Sequence, residues 1–223
     1  KLREMSFANV ISMVKEYRSL YGFYSDDLVG DYKRTIERLQ KEQREAIEQL
    51  FSSFGNVLYS ELHDFLNHGH EWIAAYDESL ASVHGLDFTD LICGVHRLFQ
   101  DPVVRERWRS RYSYISVDEM QDTGVLEYKV LEMLWEGNHV LLCGDYFQTI
   151  YEWRGSDPFR LLKQFDADFK PLKIIFYENY RSNWTLFTMA FKTLQNMFPD
   201  LVGSIYTELP RANSESKGKP VLI

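Results

Sequence analysis

Cysteine is scarce in this chain. Two residues, Cys93 and Cys143, stand fifty positions apart, each in an apolar context. That is no disulfide framework and no zinc site; both read as buried thiols of a reducing compartment. Long apolar runs are missing too, and none approaches the roughly 20 residues of a membrane span. The N-terminus lacks the charged-then-apolar layout of a secretion signal. A soluble, cytoplasmic protein with no membrane partner is therefore expected. Positive charge is in deficit, with 25 Lys and Arg against 33 Asp and Glu, a net charge of −8. This excludes nucleic-acid binding by bulk charge, though not a local basic groove. The chain opens Lys1-Leu2-Arg3-Glu4-Met5 without an initiator methionine, which suggests a piece of a longer protein. What it does have is 45% hydrophobic and 15% aromatic residues, enough for a packed core in one large or two small domains.

Residues 1–84 read as helical. Ser6 is placed to cap a helix with Phe7, Val10, Ile11, Val14 and Tyr17 on one stripe, ended by Tyr21-Gly22. A second helical region starts at Ser25-Asp26-Asp27. Its later part, from Asp31 to Leu50, interleaves Lys33, Arg34, Arg38, Lys41 and Arg44 with glutamates, and Ile36, Leu39, Ile47 and Leu50 share one side. That pattern predicts a solvated face laced with ion pairs; contact of its basic residues with a phosphate backbone is the alternative. Gly55 breaks the run before a helix through Leu58, Leu62 and Phe65. His63, His68 and His70 lack a completing ligand, and a polar turn at Gly69 before a new helix at Glu71 is expected over a metal site.

The pattern changes at Gly85. Asp87 is an N-cap for a helix predicted to bury Phe88, Leu91, Ile92 and Val95, and Asp101-Pro102 opens another that ends in the basic stretch Arg105 to Arg111. Strands then alternate with helices. A strand at Tyr114–Val117 leads to a helix capped by Thr123 and carrying Leu126, Val130, Leu131 and Leu134. A strand at His139–Cys143 leads through a loop to a helix from about Pro158 to Phe165. A strand at Leu172–Phe176 leads to a helix from Asn183 to Phe198. The tail, Arg211 to Lys219, reads as a polar loop before a strand begun at Val221. Such alternation means α/β with a parallel sheet.

Three stretches bring chemistry to the strand ends, where parallel sheets place it. Val117-Asp118-Glu119 ends a buried strand in two acids. One can hold a hydrated Mg²⁺ that bridges nucleotide phosphates, and the other can orient and deprotonate water. Gly144-Asp145 to Gly155 carries Gln148, whose neutral amide can contact a terminal phosphate. The same stretch carries Tyr151 and Trp153, whose flat faces suit unpaired bases, and Arg154 for a phosphate or stacking contact. Asn179-Tyr180-Arg181-Ser182 offers an arginine able to reach a γ-phosphate and a tyrosine able to stack on adenine.

In this order and spacing the motifs resemble those of the UvrD/Rep-like superfamily 1A DNA helicases. Asp118-Glu119-Met120-Gln121-Asp122-Thr123 is similar to their motif II, DEFQDT or DEYQDT. Gly144 to Gly155 is similar to motif III, GDxxQSIYxWRG, and Asn179-Tyr180-Arg181-Ser182 to motif IV. Asp87-Phe88-Thr89-Asp90-Leu91 is like the DFxDL segment before motif II. The resemblance covers about residues 85–185. It implies ATP-driven translocation on single-stranded DNA with unwinding of duplex DNA, and Mg²⁺ and ATP as cofactors. Asp118 would sit on Mg²⁺ and Glu119 would be the catalytic base. Gln148 and Arg181 would lie near the γ-phosphate, Tyr180 against adenine, and Tyr151, Trp153 and Arg154 would face DNA. The implied fold is an all-helical 1B-like subdomain at 1–84 and part of a first RecA-like domain (1A) at 85–182, a partial parallel sheet with flanking helices. A second RecA-like domain (2A) would begin at 183–223.

The 223 residues contain no G-x-x-x-x-G-K-[S/T] phosphate loop and no motif V or VI. The remainder of a helicase chain would have to supply them, and this piece alone is expected neither to bind ATP tightly nor to hydrolyse it. Two other readings stand beside the helicase: a non-enzymatic helicase-like module that binds DNA or protein, and the helicase part of an AddA- or RecB-like nuclease-helicase. The retained Asp118, Glu119, Gln148 and Arg181 argue against the module, which has no need of a general base.

Overall fold

The computed structural model describes residues 2–42, 44, 59–149, 158–206, 208 and 210–214. The protein is mostly helical with small parallel two-stranded sheets, and it divides into two compact units, Lys1–Asp168 and Phe169–Ile223. Among the described residues no helix is long and apolar enough to cross a membrane.

The first unit begins with α1 (Leu2–Tyr21), α2 (Leu28–Glu42) and α3 (Tyr59–Ser82). Val10, Ile11 and Val14 of α1 meet Tyr32, Ile36 and Leu39 of α2 and Phe65, Ile73 and Ala74 of α3 in one core. Val10, Ile11, Val14 and Tyr17 of the predicted stripe face this core, the side chain of Phe7 lies outside the described residues, and Ser6 is not the cap. Leu2, Arg3, Glu4 and Met5 are good helix formers and carry the helix four residues further back. Gly22, at φ +67°, ends α1 in the left-handed conformation that glycine adopts without strain. On α2 Arg38 pairs with Glu42 at 3.0 Å on the exposed face as expected, whereas Asp31, the partner of Arg34, is fully buried. Ile47, Leu50, Gly55 and Leu58 lie outside the described residues.

The expected turn at Gly69 is absent. Residues 59–82 form one helix and Gly69 is buried within it, because the Phe65 ring lies where its Cβ would be, 2.5 Å away. Glycine serves close packing here and does not break the helix.

Next comes α4 (Phe88–Leu98), capped as expected: Asp87 accepts from Asp90 N at 2.8 Å, and Asp90 accepts from Asp87 N at 3.0 Å. Its buried face is only in part the predicted one, since Ile92 and Val95 are half-buried. Phe88 is 84% and Leu91 51% exposed, while Cys93 and His96 are buried against α1, where Ser19 Oγ lies 2.9 Å from His96 Nδ1. The residues that meet α1 are buried, and larger apolar side chains on the other face stay in solvent. α5 (Pro102–Arg109) starts at Asp101, whose carboxylate accepts from Val103 N, with proline in the first turn.

β1 (Tyr114–Val117), α6 (Val125–Trp135) and β2 (His139–Leu142) follow. The strands pair in parallel, Tyr114 with His139 through Val117 with Leu142. Ile115, Val117, Val140 and Leu142 point at a core of Met120, Tyr128, Trp135, Leu161 and Phe165, the last two from α7 (Pro158–Phe169). Trp135 meets Tyr128 and Phe165 edge-on at 5.1 and 5.2 Å, contacts that add about 1 kcal/mol each beyond burial. Strand alternation also corrects the reading of Cys143. It falls on the same open side as Leu141 and is exposed, whereas Cys93 is buried as expected. Thr123 is not the cap of α6 either. Gly124 holds that position and its N–H donates to Glu127 at 2.8 Å, because a short 3₁₀ turn at Met120–Asp122 uses up the preceding residues.

In the second unit β3 (Glu178–Asn183) pairs in parallel with β4 (Arg211–Ser214), and α8 (Trp184–Met197) and α9 (Pro199–Ile205) lie between them in sequence. The strand expected at Leu172–Phe176 does not form. Residues 171–177 have no regular structure, and Leu172 and Phe176 are 89% and 85% exposed. The polar residues Glu178–Asn183 take the strand role because β4 offers them a ladder. For the same reason Arg211–Ser214 is a strand and not a loop. Asn183 caps α8 by accepting from Leu186 N at 2.9 Å. The strand expected at Val221 lies outside the described residues.

Candidate functional site

β1 delivers Asp118 and Glu119 to its carboxyl end, and both are exposed. The next residue, Met120, is fully buried, and its N–H donates to Cys143 O at 2.9 Å, while Cys143 N donates to Val117 O at 2.8 Å. The turn after β1 is thereby fastened to the end of β2. Reversing direction in one step puts Glu119 in the left-handed region (φ 51°, ψ 42°), a conformation costing a non-glycine residue about 1 kcal/mol. Asp118 Oδ1 accepts from Glu119 N at 2.9 Å.

β2 leads to Gly144 and Asp145, and then to a 3₁₀ turn at Tyr146–Gln148. Asp145 Oδ1 accepts from Phe147 N at 2.9 Å, and its Oδ2 accepts from Gln148 Nε2 at 2.9 Å. Gln148 is exposed beside the strand ends. Gln121, 2% exposed, joins the two turns: its Nε2 donates to Glu119 Oε2 at 2.6 Å, and its Oε1 accepts from Asp145 N at 3.0 Å. Gly144 permits this approach, since a Cβ there would lie 2.7 Å from Gln121 Oε1.

The structure thus brings together Asp118, Glu119 and Gln148, and adds Asp145 and Gln121. Sequence reasoning passed over both additions although they stand inside the motifs. A glutamine between two acids was the available signal. Tyr180 and Arg181 belong to the second unit. Tyr180 is 72% exposed and donates to Glu178 at 2.5 Å. Arg181 is exposed on β3, and its N–H donates to Asn179 Oδ1 at 3.0 Å. Tyr151, Trp153 and Arg154 lie outside the described residues.

The donor chemistry fits a magnesium ion. Mg²⁺ takes one or two carboxylates and completes its shell with water and phosphate oxygens. Asp118, Glu119 and Asp145 are all hard oxygen donors, and their hydrogen-bond partners are neutral amides. A further oxygen, Asp122 Oδ1, is buried with no donor. Among the described residues no group of three or more His, Cys, Asp and Glu forms a ready metal cage.

The family model of the UvrD/REP helicase N-terminal domain matches residues 9–170 of this chain. DNA helicase II of Haemophilus influenzae is 33% identical over 156 residues, which is 68% of this chain and 20% of that protein. ATP-dependent DNA helicase Rep of Buchnera aphidicola subsp. Baizongia pistaciae is 29% identical over 240 residues, 95% of this chain and 35% of that protein. ATP-dependent DNA helicase PcrA of Staphylococcus aureus is 36% identical over 126 residues, covering 55% and 17% respectively. The chain therefore spans between 17% and 35% of the length of these relatives.

Proposed function

The chain belongs to the UvrD/REP helicase N-terminal domain family, and we propose that it is part of an ATP-dependent DNA helicase that moves on single-stranded DNA and unwinds duplex. The observation that carries this reading is the parallel pairing of β1 with β2, which sets Asp118, Glu119, Asp145 and Gln148 at one edge. In this reading residues 1–84 are a 1B-like helical subdomain, 85–182 part of a RecA-like domain and 183–223 the start of a second.

Asp118 would hold the Mg²⁺, which when bound neutralises phosphate charge. Glu119 would accept the proton of the attacking water, a reading supported by its exposed carboxylate at the carboxyl end of β1. Gln148 offers its amide to the terminal phosphate. Arg181 would supply a positive charge for the γ-phosphate and Tyr180 a flat face for adenine. Tyr151, Trp153 and Arg154 would contact DNA by stacking and charge. The phosphate loop, absent from these residues, would come from the rest of the helicase chain, and the working protein would act in the cytoplasm, in DNA repair.

ATP turnover by the full-length chain, with and without single-stranded DNA, tests the reading. DNA-stimulated hydrolysis that is lost in Glu119→Gln is expected; equal rates for the two proteins, or none for wild type, would overturn it. For the 223 residues alone, calorimetric titration with Mg²⁺ and a non-hydrolysable ATP analogue should show no micromolar binding, and micromolar affinity would refute that expectation.

A further inference from the structure

We propose that Gln121 is a positioning residue, a single buried amide through which the turn after β2 sets the carboxylate of Glu119. This rests on the reading of Glu119 as the general base. The orientation of the amide is fixed by its partners. Glu119 Oε2 can only accept and Asp145 N can only donate, so Nε2 must face the first and Oε1 the second. At 2% exposure, water is in no position to replace either partner, and turning the amide breaks both bonds together.

The connection continues beyond Gln121. Asp145, held through its N–H, uses its own carboxylate to accept from Gln148 Nε2 at 2.9 Å and from Phe147 N at 2.9 Å. Four residues, Glu119, Gln121, Asp145 and Gln148, are therefore linked from one strand end to the other. A displacement of the 146–148 turn pulls on Asp145 N and so on the amide that holds Glu119. Gly144 is part of the same device, because any side chain there would push Gln121 Oε1 away from Asp145.

Three variants of the full-length chain separate this role from simple folding. Gln121→Met keeps the length and removes both bonds. Gln121→Glu keeps an acceptor for Asp145 N but sets two carboxylates against each other. Gly144→Ala displaces the amide without touching it chemically. In all three kcat should fall about tenfold to a hundredfold, with KM for ATP within about twofold of wild type, as for loss of an outer supporting contact. Hydrogen exchange at Asp145 N, read by mass spectrometry without nucleotide, should quicken in Gln121→Met and Gly144→Ala and stay slow in Gln121→Glu. Wild-type kcat in Gln121→Met, or unchanged exchange at Asp145 in that variant, would overturn the proposal. Should wild type itself fail to hydrolyse ATP, the functional reading falls, while the exchange measurement still decides whether Gln121 bridges the two turns.

Discussion

Two groups of carboxylates in the first unit have opposite surroundings. Asp77 of α3, Asp87 at the cap of α4 and Asp90 within α4 close on the buried amine of Lys15 at 2.9, 2.9 and 2.5 Å. Burial alone would push the Lys15 amine below its ordinary range, but its hydrogen bonds to Asp90, Asp87 and Asp77 win and hold it above. Asp87 shows the converse: burial would raise its carboxyl, and the bond from Lys15 brings it below the usual value. Arg18 and Tyr32 extend this group, since Tyr32 donates to Asp77 and Arg18 lies 3.5 Å from Asp31. Asp118, Glu119 and Asp145, at the strand ends, are met instead by neutral amides. One set uses its charge to hold three helices together. The other has no cation beside it among the described residues and leaves its carboxylates to amide donors at an exposed edge. Acidic residues acquire different roles from the donors that surround them.

Breaking the second set should have the larger effect on chemistry and the smaller one on folding. Glu119→Gln in the full-length chain should lower kcat by about 10²–10⁴-fold, measured as DNA-stimulated phosphate release. Asp118→Asn, at an exposed position, should leave the unfolding free energy within about 0.5 kcal/mol in a urea titration.

Breaking the first set reverses this. Lys15→Met leaves three acids without their cation and should destabilise the chain by about 3 kcal/mol, the low end for a buried charge cluster because the acids retain some solvent contact. Asp87 divides the effect further, since it both pairs with Lys15 and caps α4. Asp87→Asn keeps a capping oxygen, and Asp87→Ala should be less stable than it by about 1 kcal/mol.

The smallest expected effect is on pH dependence. Burial holds His96 below its ordinary 6.5, so the unfolded chain takes up a proton at a higher pH than the folded one. Its stabilising contribution is present above 6.5 and is lost as pH falls below that value. Thermal melts from pH 7.5 to 5 should show a decline that is reduced in His96→Gln; an identical decline would locate the sensitivity elsewhere.

Much of this protein was legible along the chain. Tyr114–Val117 and His139–Leu142 are short apolar runs that end in polar loops, and β1 and β2 occupy them. Asp87 and Asp101 announce their helices by local cap chemistry, which depends on residues two or three positions away. Asp118, Glu119 and Gln148 could be named because a strand end followed by acids or amides is a local pattern. The errors share a cause. Gly69 looks like a break until Phe65 is seen lying over it, and Leu172–Phe176 looks like a strand until β4 pairs with the residues after it. Phe88 and Leu91 look buried until α1 is found packed on Cys93 and His96 instead.

At the strand ends, then, residue type and period were enough to say which groups are present and which strands carry them, because both act over a few positions. That Gln121 faces Glu119 on one side and Asp145 on the other is a property of the folded chain. Those partners stand 2 and 24 residues away, and nothing but the parallel pairing of β1 with β2 brings them within hydrogen-bonding distance of one amide.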